Sequence, residues 1–116
     1  MSWLETKIID LAGRAMDLAA LRHTLVSSNI ANVDTPGYHT RDIDFEGELR
    51  RAAAGLSETE PCVHQVRGLI ARPDGNNVSL EREGLGLADT QLRYRLAAQL
   101  LRSEFHRLLT AINEGR

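Results

Sequence analysis

The chain has 116 residues, 42% of them hydrophobic and 4% aromatic, with a net charge of −2 from 14 basic and 16 acidic side chains. That length allows one domain, and an apolar content drawn mainly from Leu and Ala favours helices over a β-sandwich. The interspersed charges give no basic footprint for nucleic acid, and no run approaches the ~20 apolar residues of a membrane span.

A long helix is expected over about residues 3–32. Leu4, Ile8, Leu11, Ala15, Leu18, Leu21 or Arg22, and Leu25 alternate steps of three and four, the helical period. Ser2 is placed as the N-cap, and Glu5 completes a capping box. Gly13 sits inside and costs up to about 1 kcal/mol against Ala. About thirty residues make a rod of roughly 45 Å. Its apolar seam is as narrow as a coiled-coil stripe, so it needs a partner helix. Nothing ahead of the helix reads as a cationic region, an apolar core and a small-residue cleavage site. The expectation is a cytoplasmic resident or a protein exported uncleaved.

The end of that helix is the most informative stretch: Ser28-Asn29-Ile30-Ala31-Asn32-Val33-Asp34-Thr35-Pro36-Gly37-Tyr38. Asn29 and Asn32 share a helix face. They read either as an ordinary capped end or as a polar device that fixes register, as a buried Asn does in a coiled coil. Asp34 and Thr35 offer side-chain oxygens to nearby backbone, a turn-capping role rather than a catalytic one. Pro36-Gly37 supplies the centre of a type II turn.

The middle segment, about 33–78, is mixed. Tyr38 to Asp44 reads as extended, and Phe45 to Ala54 as a short helix capped by Asp44 and stopped by Gly55. Ser57 to Pro61 reads as a polar linker, and Val63, Val66, Leu69 and Ile70 as one or two short strands or an extended arm. Pro73-Asp74-Gly75-Asn76 is a turn signal. A second long helix is expected over about 79–113, capped by Ser79 or Asn77, with Glu81 and Glu83 in its first turn and Gly115 at its end. Leu85, Ala88, Leu92, Leu96 and Leu100 form one stripe, and Leu101, Phe105, Leu108 and Ile112 continue on a neighbouring one. Gly84 and Gly86 read as a frayed or kinked first turn or a close backbone approach. The Lys and the flanking strand of a phosphate loop are absent.

Chemistry is sought and not found. Asp42-Ile43-Asp44-Phe45-Glu46-Gly47 imitates a calcium loop, but Ala53 stands at the twelfth position in place of a bidentate Glu. His23, His39, His64 and His106 lack ligand spacing. Cys62, the one cysteine, has no partner for a disulfide or a metal pair. Asn77-Val78-Ser79 matches a glycosylation acceptor by chance. Arg14, Arg22 and Arg95 are either solvated or paired across subunits. No catalytic, cofactor or metal residues are expected.

The run Ser28–Tyr38, the continuation Arg41-Asp42-Ile43-Asp44-Phe45 and the later Asp74-Gly75-Asn76-Asn77-Val78-Ser79-Leu80-Glu81 together resemble bacterial flagellar rod and hook proteins, in particular those of the proximal rod of the basal body. The similarity covers roughly residues 11–49 and 74–114. The resemblance implies a mainly α fold: a single axial-protein core domain, 1–116, whose two long terminal helices pack as a coiled coil. They would be joined by a mostly irregular middle with possible short strands. It also implies a structural, non-enzymatic subunit of the periplasmic rod that lines a central channel and polymerises with its own copies and other rod proteins. The rod-to-ring adaptor and the export gate near the membrane ring would be further partners. Export would run through the flagellar type III apparatus, without a cleavable signal. The matched positions, as assembly and fold determinants, are Asn29, Asn32, Asp34, Pro36, Gly37, Tyr38, Arg41, Asp42, Asp44, Phe45, Asp74, Gly75, Asn76, Asn77 and Val78. Ser79 departs from an acidic position of the family, and Gly84 and Gly86 from bulkier ones. Leu11, Leu18, Leu25, Leu92, Leu96, Leu101, Phe105, Leu108 and Ile112 are the expected helix-packing residues. The alternative is a cytoplasmic helical adaptor or export chaperone, which would have amphipathic ends but no use for the turn motif.

Overall fold

The computed structural model describes residues 2–56 and 60–115. Ser57, Glu58 and Thr59, the larger part of the expected polar linker, lie outside the described residues. Five elements follow in order: α1 (Trp3–Ala31), β1 (Arg41–Ile43), α2 (Phe45–Ala53), β2 (Val63–Gln65) and α3 (Leu80–Glu114). The molecule is a rod of 69 × 24 × 16 Å. It is mainly helical, with its two long terminal helices in contact and a two-stranded sheet between them in sequence.

Helix α1 begins with a complete capping box. Ser2 Oγ accepts from the Glu5 N–H, and the Glu5 carboxylate accepts from the Ser2 N–H. Late α1 faces early α3: Arg22 pairs with Asp89, and Asn29 with Glu83. The long helices are therefore antiparallel.

The side that α3 turns to α1 is not its leucine side. Glu83, Thr90, Ala97 and Glu104 are buried, each seven residues from the next. On α1 the buried Ala12, Ala19 and Val26 recur at the same interval beside Leu18 and Leu25. Seven-residue repeats on both partners are the signature of a coiled-coil seam. The expected packing residues Leu92 and Leu96 are 55% and 58% exposed, and Phe105 and Ile112 are exposed as well. Leu101 and Leu108 are half-buried. Periodicity locates an apolar face but not what it faces. Here small and hydrogen-bonded residues fill the intramolecular seam, and the larger apolar face is left outside.

The α1 seam is covered by its own chain. Leu18, Ala19 and Leu25 form the core with Ile43 of β1 and Phe45 of α2, and Ala15, Leu21 and Leu49 pack on its edge. Asp44 caps α2 by accepting from the Gly47 N–H. At the other end, Leu56 N–H bonds Arg51 O and Gly55 N–H bonds Ala52 O, a Schellman stop that needs the positive φ of Gly55. Lys7 donates to Ala53 O, placing a cation at the negative end of α2. Strand β2 pairs antiparallel with β1, Arg41 opposite Gln65 and Ile43 opposite Val63. The buried Glu48 of α2 accepts from the Cys62 N–H and pairs with Arg51, which ties the approach to β2 onto the helix. Helix α3 runs unbroken through Gly84 and Gly86. Gly86 lies beside the Val26 and Arg22 side chains at ordinary contact distance, so neither a kink nor a close backbone approach explains it.

Candidate functional site

Two stretches far apart in sequence fold into one clasp at the junction of the long helices. The last carbonyls of α1 have no helical partners. The Asn76 carboxamide, fully buried, donates to Asn32 O and Thr35 O and accepts from the Val78 N–H. Asn77 Oδ1 accepts from the Thr40 N–H, and the Asn77 N–H donates to Tyr38 O. Asp74 O accepts from the Gly37 N–H, and Asp74 Oδ1 accepts from the Asn76 N–H. Arg72 donates to Val33 O. Tyr38 N–H closes the turn onto Thr35 O with Gly37 at φ 76°, as a type II turn requires. Gly75, at φ 88°, approaches so near that a Cβ there would stand 3.3 Å from Gly37 Cα. Val78 is buried beneath the clasp.

Within it, Asn29 is a hub. Its amide donates to Arg41 O (2.9 Å) and Glu83 Oε2 (3.0 Å), and its oxygen accepts from Tyr38 Oη (2.9 Å) and the Arg41 N–H (3.1 Å). That uses two donors and two lone pairs at a side chain 1% exposed. The register-device reading therefore applies inside one chain, between α1, β1 and α3. Asn32 caps α1, donating to Ser28 O and accepting from Thr35 Oγ1. Thr35 thus bonds a side chain, not the expected backbone group. Asp34 and Pro36 stay exposed at the turn surface.

An ionic chain extends from the hub. Buried Asp42 lies 2.8 Å from Arg82 Nη2 and 3.3 Å from Arg22 Nε. The second contact is an ion pair off the line of a hydrogen bond. Arg82 also meets Glu83 at 2.8 Å, Arg22 meets Asp89, and Arg93 links Asp89 to Glu46 while lying over the Phe45 ring. Burial works against the charge on Arg82, but hydrogen bonds and attraction from Asp42 and then Glu83 outweigh it, holding its pKa above the ordinary guanidinium value. With Asp42 held by arginines and Asp44 spent on a cap, the resemblance to a calcium loop has no free ligands. Among the described residues no three metal-ligating side chains converge.

Glu83, Arg82, Thr40 and Arg72 are clasp residues that motif reading missed. Glu, Thr, Ala and Glu at positions 83, 90, 97 and 104 make no apolar stripe, so the sequence carried no signal for burying Glu83.

Outside the clasp, apolar surface is left open. Leu85, Leu92 and Leu96 form a ridge along α3, and Trp3 and Leu4 of α1 are exposed, as are Phe105, Leu109 and Ile112 near the end of α3. A groove of about 600 Å³ between α1, α2 and α3 is floored by Leu11, Ala15, Phe45, Leu49 and Leu96. This is more uncovered apolar surface than scattered single residues would give.

Comparison with known proteins bears directly on this surface. The family described as Flagella basal body rod protein matches residues 9–39, which is α1 from its second turn through the Pro-Gly turn. The flagellar basal body rod protein FlgB of Salmonella typhimurium is 32% identical over 87% of this chain and 89% of its own length. This chain belongs to the FlgB family of flagellar basal body rod proteins. FlgB of Cereibacter sphaeroides is 37% identical over 85% of this chain and 88% of its own, and that of Escherichia coli 28% over 87% and 89%. The chain is accordingly a structural subunit of the basal body rod and not an enzyme. The adaptor alternative falls with that assignment. No described helix is long and apolar enough to cross a membrane.

Proposed function

We propose that this FlgB-family subunit enters the rod through its terminal helices, with the clasp setting their angle and the open face of α3 meeting neighbouring subunits. The observation that carries this reading is the inversion of α3. Its heptad of small and polar residues, Glu83, Thr90, Ala97 and Glu104, faces inward, and Leu85, Leu92 and Leu96 face outward. A helix whose largest side chains point away from its own core is built to be covered by something else. In this reading residues 1–116 form one axial core domain, neighbours are copies of this chain and other rod proteins, and the packed helices line the channel of the shaft. The rod-to-ring adaptor and the export gate are its neighbours at the membrane ring, and it reaches the periplasmic rod through the flagellar type III apparatus.

Complementation tests the reading. A strain lacking the gene should keep its membrane ring and lose its rod. The wild-type chain should restore the rod, and a chain carrying Leu92→Asp and Leu96→Asp should not. A complete rod without the gene, or full rescue by the double variant, would overturn it.

A further inference from the structure

A second cleft lies between α1 and α3, on the side of the seam opposite the α2 groove. Ala19 and Ala20 leave room for it, about 510 Å³, and His23, Thr90, Tyr94 and Arg95 stand around it. Among the described residues no acidic side chain lines it. Arg95 is exposed and, among the described residues, in no ion pair. Arg82, Arg93 and Arg107 of the same helix each pair with a carboxylate within four residues, whereas Arg95 has Gln91 and Gln99 at that spacing. Thr90 is 2% exposed, and its hydroxyl has no hydrogen-bond partner. The helical Thr6, Thr24 and Thr110 each donate to the carbonyl four residues back. Thr90 does not, so its hydroxyl is turned off its own backbone at the floor of the cleft. A buried polar group left unbonded costs stability, and a chain that keeps one beside an unpaired guanidinium points to something bound there.

We propose that this cleft binds a carboxylate, held by the Arg95 guanidinium and bonded from beneath by the Thr90 hydroxyl. The planar fork of arginine matches a carboxylate. One guanidinium with no acid beside it balances a single negative charge, which fits a carboxylate better than a phosphate dianion. Ala19, Ala20 and the Tyr94 ring leave space for a short apolar body behind the charged group, and the volume is that of a small-ligand site. The carboxylate arrives either on a small free acid or on an Asp or Glu side chain of a neighbouring rod subunit, and the chemistry that recognises it is the same. This goes beyond the rod reading and makes no use of the leucine ridge.

The test starts from Thr90→Val, which keeps the shape and removes the hydroxyl. Its melting temperature as dilute protein should be no lower than wild type; a clear fall would mean that the hydroxyl has a partner inside the chain, and would overturn the inference. Sodium propionate is then titrated into the dilute chain, with sodium chloride at equal ionic strength as control, and the Arg95 and Tyr94 signals are followed by NMR. A saturable shift that chloride does not reproduce identifies a free acid as the source. Arg95→Gln should abolish it, Thr90→Val should weaken it about tenfold, and Arg102→Gln should leave it unchanged. If propionate gives no such shift, the source is a neighbouring side chain, and Arg95→Gln and Thr90→Val should each lower rod yield about tenfold with melting unchanged. Silence in both arms would overturn the inference. Only the second arm rests on the rod reading, which the gene-deletion strain tests by itself.

Discussion

The Asn29 carboxamide donates to Glu83 Oε2 across 3.0 Å at a point where neither side chain reaches water. One residue closes α1 and the other opens α3, so this contact fixes how the two long helices meet. Asn29→Asp removes both donors and sets a second carboxylate beside the first. It should cost about 3 kcal/mol or more, the scale of an uncompensated buried charge. Glu83→Gln keeps an acceptor for Asn29, and Arg82 still has Asp42, so about 1 kcal/mol is expected. Urea midpoints at low protein concentration check the order. Equal or negligible losses would remove Asn29 from the centre of the clasp.

Arg82 joins Asp42 of β1 to Glu83 of α3 with two separate nitrogens. A lysine has no fork to span both. Arg82→Lys should cost about 1–2 kcal/mol, discounted because the arginine is partly exposed. The pKa of Arg82 is raised on folding, so its contribution is fully present below the ordinary guanidinium value and is lost only as pH rises through the raised one. The gap between wild type and variant should therefore stay flat across neutral and mildly alkaline pH. A gap that closed there would mean that Arg82 acts through another titrating group.

Much of this was legible in the sequence because it is local. The capping box at Ser2 and Glu5, the turn at Pro36-Gly37, the Asp44 cap and the Gly55 stop each depend on residues within one turn of one another. The α1 seam was legible too, since Leu18 and Leu25 leave a single narrow apolar stripe. The orientation of α3 was not. Leu85, Leu92 and Leu96 look like a core stripe by period alone, and what turns them outward is the pairing of Glu83 with Asn29, a relationship between residues 54 apart. Nor does local patterning say that residues 32–38 receive residues 72–77. Both stretches read as turns, and only the fold shows that each satisfies the other's amides and carbonyls.

Folding and assembly should separate by residue. Leu18 is fully buried among Leu25, Ile43 and Phe45. Leu18→Asp combines a lost core side chain with a buried charge, about 3–5 kcal/mol against a whole stability of roughly 5–15. That variant should lose helical circular dichroism as well as rods. Leu92→Asp changes an exposed position and should move monomer stability by no more than about 0.5 kcal/mol, yet abolish rods. The half-buried Leu108 should fall between them, with Leu108→Asp weakening the fold and still preventing assembly. Wild-type motility in the Leu92 variant would mean that the α3 ridge is not an interface.

Three glycines give a sharper contrast. Gly37 and Gly75 both sit at positive φ, and a methyl on Gly75 would press on the Gly37 backbone. Ala at either position should cost about 1–3 kcal/mol from backbone strain alone. The double variant should depart from the sum of the singles, because the two backbones touch. Gly13 is helical and a methyl there would meet nothing within 4 Å, so Gly13→Ala should stabilise the monomer by up to about 1 kcal/mol. Thermal melts of dilute protein measure all four. Equal losses at Gly13 and Gly75 would mean that α1 is already packed against something at Gly13 in the monomer. A gain at Gly13 with a loss at Gly75 separates a glycine needed for the fold of one chain from one that fold does not need.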